Sequence, residues 1–306
     1  MAKPGYRVFE TAVGDIERLS PHFVRVTFRS DDLREVGWDG PDQRIKVVLP
    51  LDGSGFDSVP SGGDWFAAWR ALPDERRNPI RTYTIRCARP ELGELDVDFV
   101  AHGDSGPASR WIAAARVGDP IRLVAPDATS RAESGGWEWN PGAARTLLIA
   151  GDETAVPAMG AILEQLPEDA RGAVFLEVPD ASDALDLAAP EGVEVRWLAR
   201  GTAAEAYGAR LVEAVTEWAD AWLAADPAAV AVPAAVRVTA PELPAPGDEE
   251  LVWEVPEPAE DGGLYAWLAG EASAITTLRR HLVKKLGVDR RRVAFMGYWK
   301  LGRAEG

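Results

Sequence analysis

The spacing of apolar residues changes once along this chain, between residues 135 and 142, and this change constrains the fold more than any single motif. Before it, short segments alternate apolar and polar side chains, which is the period of half-buried strands. These segments are 6–13, 22–29, 43–49, 81–88, 94–100 and 119–124. Gly, Pro and Asp turns separate the six, so the first part is predicted to form a six-stranded antiparallel β-barrel.

Beyond a Gly/Trp/Pro-rich linker, Arg145–Gly151 is a continuous apolar run, as expected of a strand buried on both faces. Helical periodicity follows it, and strand-like and helical segments then alternate. Strands are predicted at 173–178, 193–198, 250–255, 264–269 and 292–297, and helices at 204–224 and 272–286. This alternation predicts a doubly wound parallel sheet. We therefore expect two domains, residues 1–135 and 143–306.

Composition excludes several classes of function. The chain has 306 residues, 46% of them hydrophobic, one cysteine and three histidines, so a disulfide, an iron–sulfur cluster or a multi-histidine metal site is not expected. A net charge of −16 argues against nucleic acid or an anionic membrane as partner. No apolar run reaches the about 20 residues that cross a bilayer, and the first residues lack a secretory signal pattern. We expect a cytoplasmic monomer.

Two neighbouring stretches carry the chemistry of the first domain: Arg81-Thr-Tyr-Thr84, and 98–111, which reads D-F-V-A-H-G-D-S-G-P-A-S-R-W. The second passes from a strand through a glycine turn to a helix start, where unpaired N–H groups attract anions. Arg81 can pair with phosphate oxygens and Tyr83 offers an aromatic face. Together they suit a dinucleotide with an aromatic head. Each piece alone is equally consistent with a surface hairpin and a capped helix.

The pattern R-x-Y-[ST] followed by a glycine turn and helix start resembles the flavin site of ferredoxin-reductase-like flavoproteins. The fuller string D-F-V-x-H-G-x-x-G-P-A-S-x-W resembles the siderophore-interacting protein family. The resemblance implies FAD as cofactor and reduction of ferric siderophores as activity. The residues it assigns to FAD in this domain are Arg81, Thr82, Tyr83, Thr84, Asp98, Phe99, Val100, His102, Gly106, Pro107, Ala108 and Ser109.

In the second domain, Gly151-Asp-Glu-Thr-Ala155 lies where a strand gives way to a helix, the edge at which open α/β sheets bind nucleotides. A tight turn capped by Asp152 is the simpler interpretation. In the resembled family, G-D-x-T-A-x-P-A lies where flavin and nicotinamide meet, which implies FAD contacts for Thr154 and Ala155 and NAD(P)H contacts for Gly151, Asp152 and Glu153.

Two further acids are candidates near the nicotinamide nucleotide. At Gly270 and Glu271 a strand again ends in a small turn, which an acid and a helix follow. The alternative for Glu271 is a helix N-terminal acid that interacts with the helix dipole. Glu177 ends a predicted strand, where an acid can bind a ribose 2′-hydroxyl and repel a 2′-phosphate, so NADH is favoured over NADPH.

The chain closes on Gly297-Tyr-Trp-Lys-Leu-Gly302, which is similar to the G-Y-W-[KR]-x-G ending of the same family. The resemblance implies that Tyr298 and Trp299 cover the flavin and that Lys300 faces the iron complex. Other siderophore-binding candidates are Arg44 and Lys46, which share one face of a strand, and Arg131. Solvated surface charge is the alternative for each.

The function that follows is electron transfer from NADH or NADPH through FAD to the Fe(III) of a siderophore, with no covalent catalytic residue and no protein metal site. Three alternatives stay open: a general NAD(P)H:flavin or quinone reductase or an electron-transfer flavoprotein of the same fold, a carrier without turnover, and a cofactor-free structural protein. A reduced ferredoxin is an alternative donor or partner. Segments 52–78 and 225–260 have no functional assignment, and the siderophore itself is open.

Overall fold

The computed structural model describes residues 5–62, 64–101, 106–132, 134–201, 207–225, 253–256 and 263–303. The chain divides into two compact units, Met1–Trp137 and Glu138–Gly306, so the division falls inside the Gly/Trp/Pro-rich linker. His102 and most of the segment 225–260 lie outside the described residues.

The first unit is a curled antiparallel sheet of seven strands in the order β4-β3-β7-β1-β2-β6-β5. Its strands are β1 (Tyr6–Arg18), β2 (Phe23–Arg29), β3 (Arg44–Val48), β4 (Ile80–Thr84), β5 (Cys87–Arg89), β6 (Glu94–Val100) and β7 (Pro120–Pro126). The predicted antiparallel barrel class is confirmed, but the count of six is corrected to seven. The segment 81–88, expected as one strand, is divided between β4 and β5.

The connection between β4 and β5 curls the sheet. The two strands lie at opposite edges, yet only Ile85 and Arg86 separate them. The Ile85 N–H donates to the Gln43 carbonyl at 2.8 Å, and the Arg86 N–H donates to the Asp96 carbonyl on β6 at 2.9 Å. Two consecutive amides therefore bond to opposite edges of one sheet, which brings those edges together.

The inserted segment 52–78 covers the outer face of this sheet. It contains α1 (Trp65–Arg70), whose Trp65 and Trp69 pack against the buried cluster of Val48, Ile80 and Val124. The indole N–H of Trp69 donates to the Asn78 carbonyl at 2.9 Å, which fixes the helix to the chain re-entering the sheet. The insertion thus has a structural role that the sequence did not indicate. A second helix, α2 (Pro107–Ala114), follows β6.

The second unit is a six-stranded sheet in the order β10-β9-β8-β12-β13-β11. Its strands are β8 (Thr146–Asp152), β9 (Arg171–Val178), β10 (Val193–Ala199), β11 (Trp253–Glu254), β12 (Leu264–Glu271) and β13 (Val293–Trp299). Five strands are parallel, which confirms the doubly wound class. The sheet is mixed, however, because the short edge strand β11 pairs antiparallel with β13.

The helices of this unit are α3 (Val156–Leu163), α4 (Ala209–Ala225) and α5 (Ala272–Arg280), the last continuing into a π-helical turn at His281–Lys285. Buried aliphatic residues of α4 and α5 pack on β8, β9 and β12. Strand order reverses between β8 and β12, so their carboxyl ends form the switch point where such sheets bind ligands. Among the described residues, no helix has the length and apolar content needed to span a membrane.

Candidate functional site

Strand β4 presents its predicted contacts on two faces. Tyr83 pairs with Ile45 and Arg81 pairs with Val47, so both side chains share the face of two core residues. Because side chains alternate along a strand, Thr82 and Thr84 lie on the opposite face. Arg81 and Tyr83 are therefore grouped as a ligand-binding pair would be.

The ring of Tyr83 rests against Phe99, with 4.4 Å between ring centroids and 45° between planes. Tyr83 is half-buried, whereas Phe99 has no exposed surface and also contacts Trp111 of α2, at 5.5 Å. The side chain of Phe99 lies in the core and supports Tyr83, so the predicted contact of Phe99 with FAD stays a prediction for its main chain. An aromatic ring backed in this way is held in place without any ligand.

Asp98 has a structural partner instead of a ligand. Its carboxylate accepts two hydrogen bonds from Arg25 of the neighbouring strand, at 2.7 and 2.8 Å, and only 3% of the residue is exposed. The pKa of Arg25 is raised, chiefly by this hydrogen bond. A two-bond guanidinium–carboxylate pair uses much of the acceptor capacity, so the Asp98 side chain has a structural role, and its contact with FAD stays a prediction.

The opposite face of β3 and β4 carries the two cations assigned to the siderophore. Arg44 pairs with Thr84 and Lys46 with Thr82, which confirms that Arg44 and Lys46 share one face. The Lys46 ammonium donates to the Thr82 hydroxyl at 2.7 Å. The two cations therefore lie on the face away from Arg81 and Tyr83.

The start of α2 keeps the features of an anion site. Gly106 is the N-cap and provides no capping side chain, and Pro107 occupies the first turn. Among the described residues, no atom lies within 4 Å of the position that a Cβ at Gly106 would take. The first-turn N–H groups, among them those of Ala108 and Ser109, point out of the helix start, where the backbone attracts anions. With the guanidinium of Arg81 and the ring of Tyr83, these groups fit the diphosphate and flat ring of FAD.

Arg131 lies in the loop after β7, exposed at the rim of a polar hollow of about 280 Å³. Asp39 and Asp127 line the same hollow and offset the charge of Arg131. Among the described residues, no group of three or more His, Cys, Asp or Glu side chains is close enough to hold a metal ion.

In the second unit, Asp152 is the centre of the switch point. One carboxylate oxygen accepts from the Thr154 N–H at 2.9 Å and the Thr154 hydroxyl at 2.5 Å. The other accepts from the Glu271 N–H at 2.7 Å and the indole N–H of Trp299 at 2.8 Å. A single side chain thus joins the carboxyl ends of β8, β12 and β13.

Burial, and after it the neighbouring charge of Glu153, raise the pKa of Asp152 to about 6, against the lowering effect of its hydrogen bonds. The residue is 2% exposed. A buried carboxylate with a strongly perturbed pKa at a ligand-binding edge is characteristic of functional sites. Because the Asp152 side chain is almost fully buried, it is not open to direct contact with a nucleotide.

Glu153 and Glu177 are also enclosed. Glu153 forms a buried ion pair with Arg200, one of whose nitrogens donates at 2.5 Å. Glu177 has no exposed surface and accepts from the N–H groups of Gly208 and Leu211, at 2.7 and 3.0 Å, at the start of α4. These contacts give Glu177 a structural role, so its binding of a ribose hydroxyl stays a prediction, and the preference for NADH that depended on it loses its support.

Gly270 and Glu271 have structural explanations too. A Cβ at Gly270 would lie 2.6 Å from the Asp152 carboxylate, so the space that we assigned to the dinucleotide is used by that side chain. Glu271 is the N-cap of α5 and accepts from the Ser273 and Ala274 amides at 2.8 and 3.0 Å. The alternative of a helix N-terminal acid is therefore the one that the structure supports for Glu271. At Gly151, a Cβ would lie 2.6 Å from the Ala269 carbonyl, so glycine is needed for β8 and β12 to approach.

The aromatic pair at the end of β13 is fixed by neighbours from the same unit. Tyr298 stacks on Trp253 at 5.8 Å and meets the edge of Trp267 at 6.4 Å. Trp299 contacts Tyr207 edge to face at 5.0 Å. Lys300 follows directly and is partly exposed.

Two family models cover most of this chain. The siderophore-interacting FAD-binding domain matches residues 12–130, and the siderophore-interacting protein model matches residues 144–302. The chain belongs to the siderophore-interacting protein family. This confirms the resemblance drawn from its motifs and makes the chain a relative of flavin-dependent oxidoreductases.

Three relatives of this family member illustrate the likeness. The ferric vibriobactin reductase of Vibrio cholerae is 30% identical over 288 residues, which is 94% of this chain and 87% of that protein. The crystal structure of the siderophore-interacting protein SipS from Aeromonas hydrophila is 31% identical, with a TM-score of 0.67 over 98% of this chain and 94% of that one. A siderophore utilization protein from T. fusca is 26% identical, with a TM-score of 0.68 over 99% and 96%.

Sequence reasoning missed the supporting residues of both sites. Arg25, which pairs with Asp98, and Arg200, which pairs with Glu153, lie 73 and 47 positions from their partners. Tyr207 was also missed, as the neighbour of Trp299. The one signal available was the alternation of acids and arginines on adjacent strands, which marks cross-strand pairs only once the register is known.

Proposed function

We propose that this protein is an FAD-dependent reductase that transfers electrons from NAD(P)H to the Fe(III) of a ferric siderophore and thereby releases Fe(II). The observation that carries the proposal is the flavin cradle of the first unit, in a chain whose family is named for siderophores and whose relative is a ferric vibriobactin reductase. That cradle consists of Arg81, the supported ring of Tyr83 and the uncapped start of α2.

Each part of the cradle has a separate task. Arg81 and the amides of Ala108 and Ser109 would hold the diphosphate, because both present N–H donors to anionic oxygens. Tyr83 would lie against the flat ring, and Phe99 behind it keeps that face in place. Bound FAD supplies the link between a donor that gives two electrons at once and an acceptor that takes one.

NAD(P)H is assigned to the carboxyl edge of β8 and β12, where strand order reverses. The choice between NADH and NADPH is open, because Glu177 is enclosed by the start of α4. Thr154 and Ala155, which begin the turn into α3, remain proposed contacts at this edge, as do Tyr298 and Trp299. A reduced ferredoxin remains the alternative donor.

Positive charge for an anionic iron complex is assigned to Arg44, Lys46, Arg131 and Lys300. Lys46 donates to the Thr82 hydroxyl at 2.7 Å and adds a positive charge to the same strand face as Arg44. The overall charge of −16 makes such local cations necessary for an anionic substrate. Fe(II) is held less firmly than Fe(III) by hard oxygen ligands, so reduction would release the metal.

Anaerobic visible spectroscopy tests the proposal. The purified protein should be yellow, lose its flavin absorbance on addition of NADH or NADPH, and regain it on addition of a ferric catecholate or hydroxamate, with Fe(II) trapped by a colorimetric chelator. Bleaching without recovery by the chelate, but with recovery by a quinone, would favour the general reductase. The Tyr83→Ala variant should bind FAD about tenfold or more weakly, given the about 1–3 kcal/mol of a stacked ring, whereas Tyr6→Phe, elsewhere in the unit, should not.

A further inference from the structure

Five residues of the second unit form a closed ring at the switch point. Asp152 accepts from the indole of Trp299 at 2.8 Å, and Trp299 meets the edge of Tyr207 at 5.0 Å. The guanidinium of Arg200 lies 4.3 Å from the centre of the Tyr207 ring and is paired with Glu153. Glu153 follows Asp152 in the chain, so the ring begins and ends at the same turn.

We propose that Asp152 is a positioning residue that holds the indole of Trp299 at this edge and thereby sets the affinity for the pyridine nucleotide. The inference rests on the proposed function, because it takes the carboxyl edge of β8 and β12 as the nucleotide site. Asp152 does not itself touch the ligand, since it is 2% exposed. Trp299, which is partly exposed, is the group through which it acts.

The hydrogen bonds of Asp152 favour an ionised carboxylate. A carboxylate has about four acceptor positions, and four donors approach it here: the N–H and hydroxyl of Thr154, the N–H of Glu271 and the indole of Trp299. A proton on this carboxyl would face donors only, so at least one bond would be lost or one hydroxyl would have to turn. Loss of the charge would also weaken the bonds that remain.

Burial opposes this arrangement, which indicates a role beyond stability. The pKa of Asp152 is raised to about 6, so the ionised side chain that anchors Trp299 is disfavoured by the fold. A purely structural acceptor for an indole could be an uncharged amide or carbonyl at lower cost. The carboxylate is nevertheless present at the one edge of the sheet where ligands bind.

Several charged groups of the described residues face Asp152 or adjoin its partners. They are Glu153 on the same turn, Glu177 on β9, Arg200 after β10, Glu271 on β12 and Lys300 after Trp299. Helix α3 (Val156–Leu163) contains no ionisable residue. Acidification through about pH 6 therefore protonates Asp152, whose pKa lies there, and burial also raises the pKa of Glu177 above its ordinary value.

The anchor is tested without turnover by the indole N–H signals of ¹⁵N-labelled, FAD-loaded protein. The signal absent from Trp299→Phe belongs to Trp299, and it should shift with a midpoint near pH 6 in the wild type. In Asp152→Asn it should have a different position and no such midpoint. A Trp299 signal that stays constant between pH 5 and 8, or that titrates equally in Asp152→Asn, overturns the proposal.

The effect on affinity is tested by calorimetric binding of NAD⁺ and NADP⁺ to the oxidised protein. Asp152→Asn and Trp299→Phe should each bind the preferred nucleotide about tenfold or more weakly, and the double variant no more weakly than either single one, because they break one hydrogen bond. The wild type should also lose NAD⁺ affinity below about pH 6, and Asp152→Asn should not.

Matched variants separate positioning from general damage. Asp183→Asn removes a fully buried carboxylate that caps another turn of the same unit, and Trp222→Phe changes an indole on α4. Both should bind NAD⁺ as the wild type does, and equal weakening in them would overturn the proposal. A wild type that binds neither nucleotide overturns the donor assignment and the affinity claim together, whereas a titrating Trp299 signal in that protein still supports the anchor.

Discussion

At the scale of single residues, Asp98 separates a structural role from a ligand-binding one. The Asp98→Asn substitution should lower the free energy of unfolding by about 1–3 kcal/mol, because Arg25 loses a charged partner in a largely buried pair. The FAD affinity of the folded variant should match that of the wild type, since Asp98 faces away from Tyr83 and Phe99. Urea denaturation and flavin titration measure the two effects. Asp15→Asn, at an exposed position of β1, is the control and should change neither the free energy of unfolding nor the FAD affinity. Weaker FAD binding by folded Asp98→Asn would instead support Asp98 as a flavin ligand.

Gly270 tests whether close approach to Asp152 is needed. In Gly270→Ala the new Cβ would lie 2.6 Å from the carboxylate, at a φ of 145° that residues with a side chain rarely adopt. We expect a loss of stability of about 1–3 kcal/mol from this strain, measured by thermal denaturation. Gly287→Ala, at a φ of 75° with no atom within 4 Å, should lose about 1 kcal/mol. Equal losses in the two variants would mean that Asp152 moves aside without cost.

At the scale of elements, the two-residue link between β4 and β5 determines the curl of the first sheet. Ile85 in that link has no exposed surface and belongs to the barrel core. Ile85→Ala should lower the free energy of unfolding by about 2–5 kcal/mol and increase hydrogen exchange at the Arg86 amide, which bonds to the Asp96 carbonyl. Val117 is 65% exposed, and Val117→Ala should change neither the free energy of unfolding nor the exchange of the Arg86 amide. An unchanged Arg86 amide would show that the edges stay joined without this side chain.

The elements also show how far sequence reasoning reaches. Alternation located β6 (Glu94–Val100) at its observed bounds and placed Arg44 and Lys46 on one face, because both depend on local spacing. The break at Ile85 was missed, since no Gly or Pro marks it and both neighbouring strands alternate through it. The partners of Asp98 and Asp152 were missed because they depend on register and strand order, which join residues 73 and 147 positions apart.

At the scale of the whole molecule, two pairs of acidic side chains, one pair in each unit, should respond to acid in opposite directions. In the first unit, a hydrogen bond from Arg89 lowers the pKa of Glu94. Burial raises the pKa of Asp96, but hydrogen bonds from Arg89 and Thr27 outweigh it and lower that pKa. Their stabilising contribution is present at neutral pH and is lost as pH falls through their lowered pKa values. In the second unit, burial raises the pKa values of Asp152 and Glu177. In the folded protein these two side chains therefore hold protons that the unfolded chain releases.

For Asp152 the sign and size follow from the pKa values, about 3.8 unfolded and about 6 folded. The folded state binds the proton more tightly, so the contribution of Asp152 to stability falls by about 3 kcal/mol as pH rises from about 4 to about 6, and stays low above. Acidification from pH 7 to pH 5 should therefore stabilise the wild type relative to Asp152→Asn by about 1–2 kcal/mol. Urea denaturation of both proteins at the two pH values measures this change in the difference between their free energies of unfolding. The same acidification should weaken NAD⁺ binding by the wild type. If this carboxylate is kept for positioning, Asp152 should contribute more to the stability of the wild type at pH 5 than at pH 7, while the wild type binds the nucleotide more weakly at pH 5. If the difference in free energy of unfolding between the wild type and Asp152→Asn does not change with pH, the raised pKa itself is refuted.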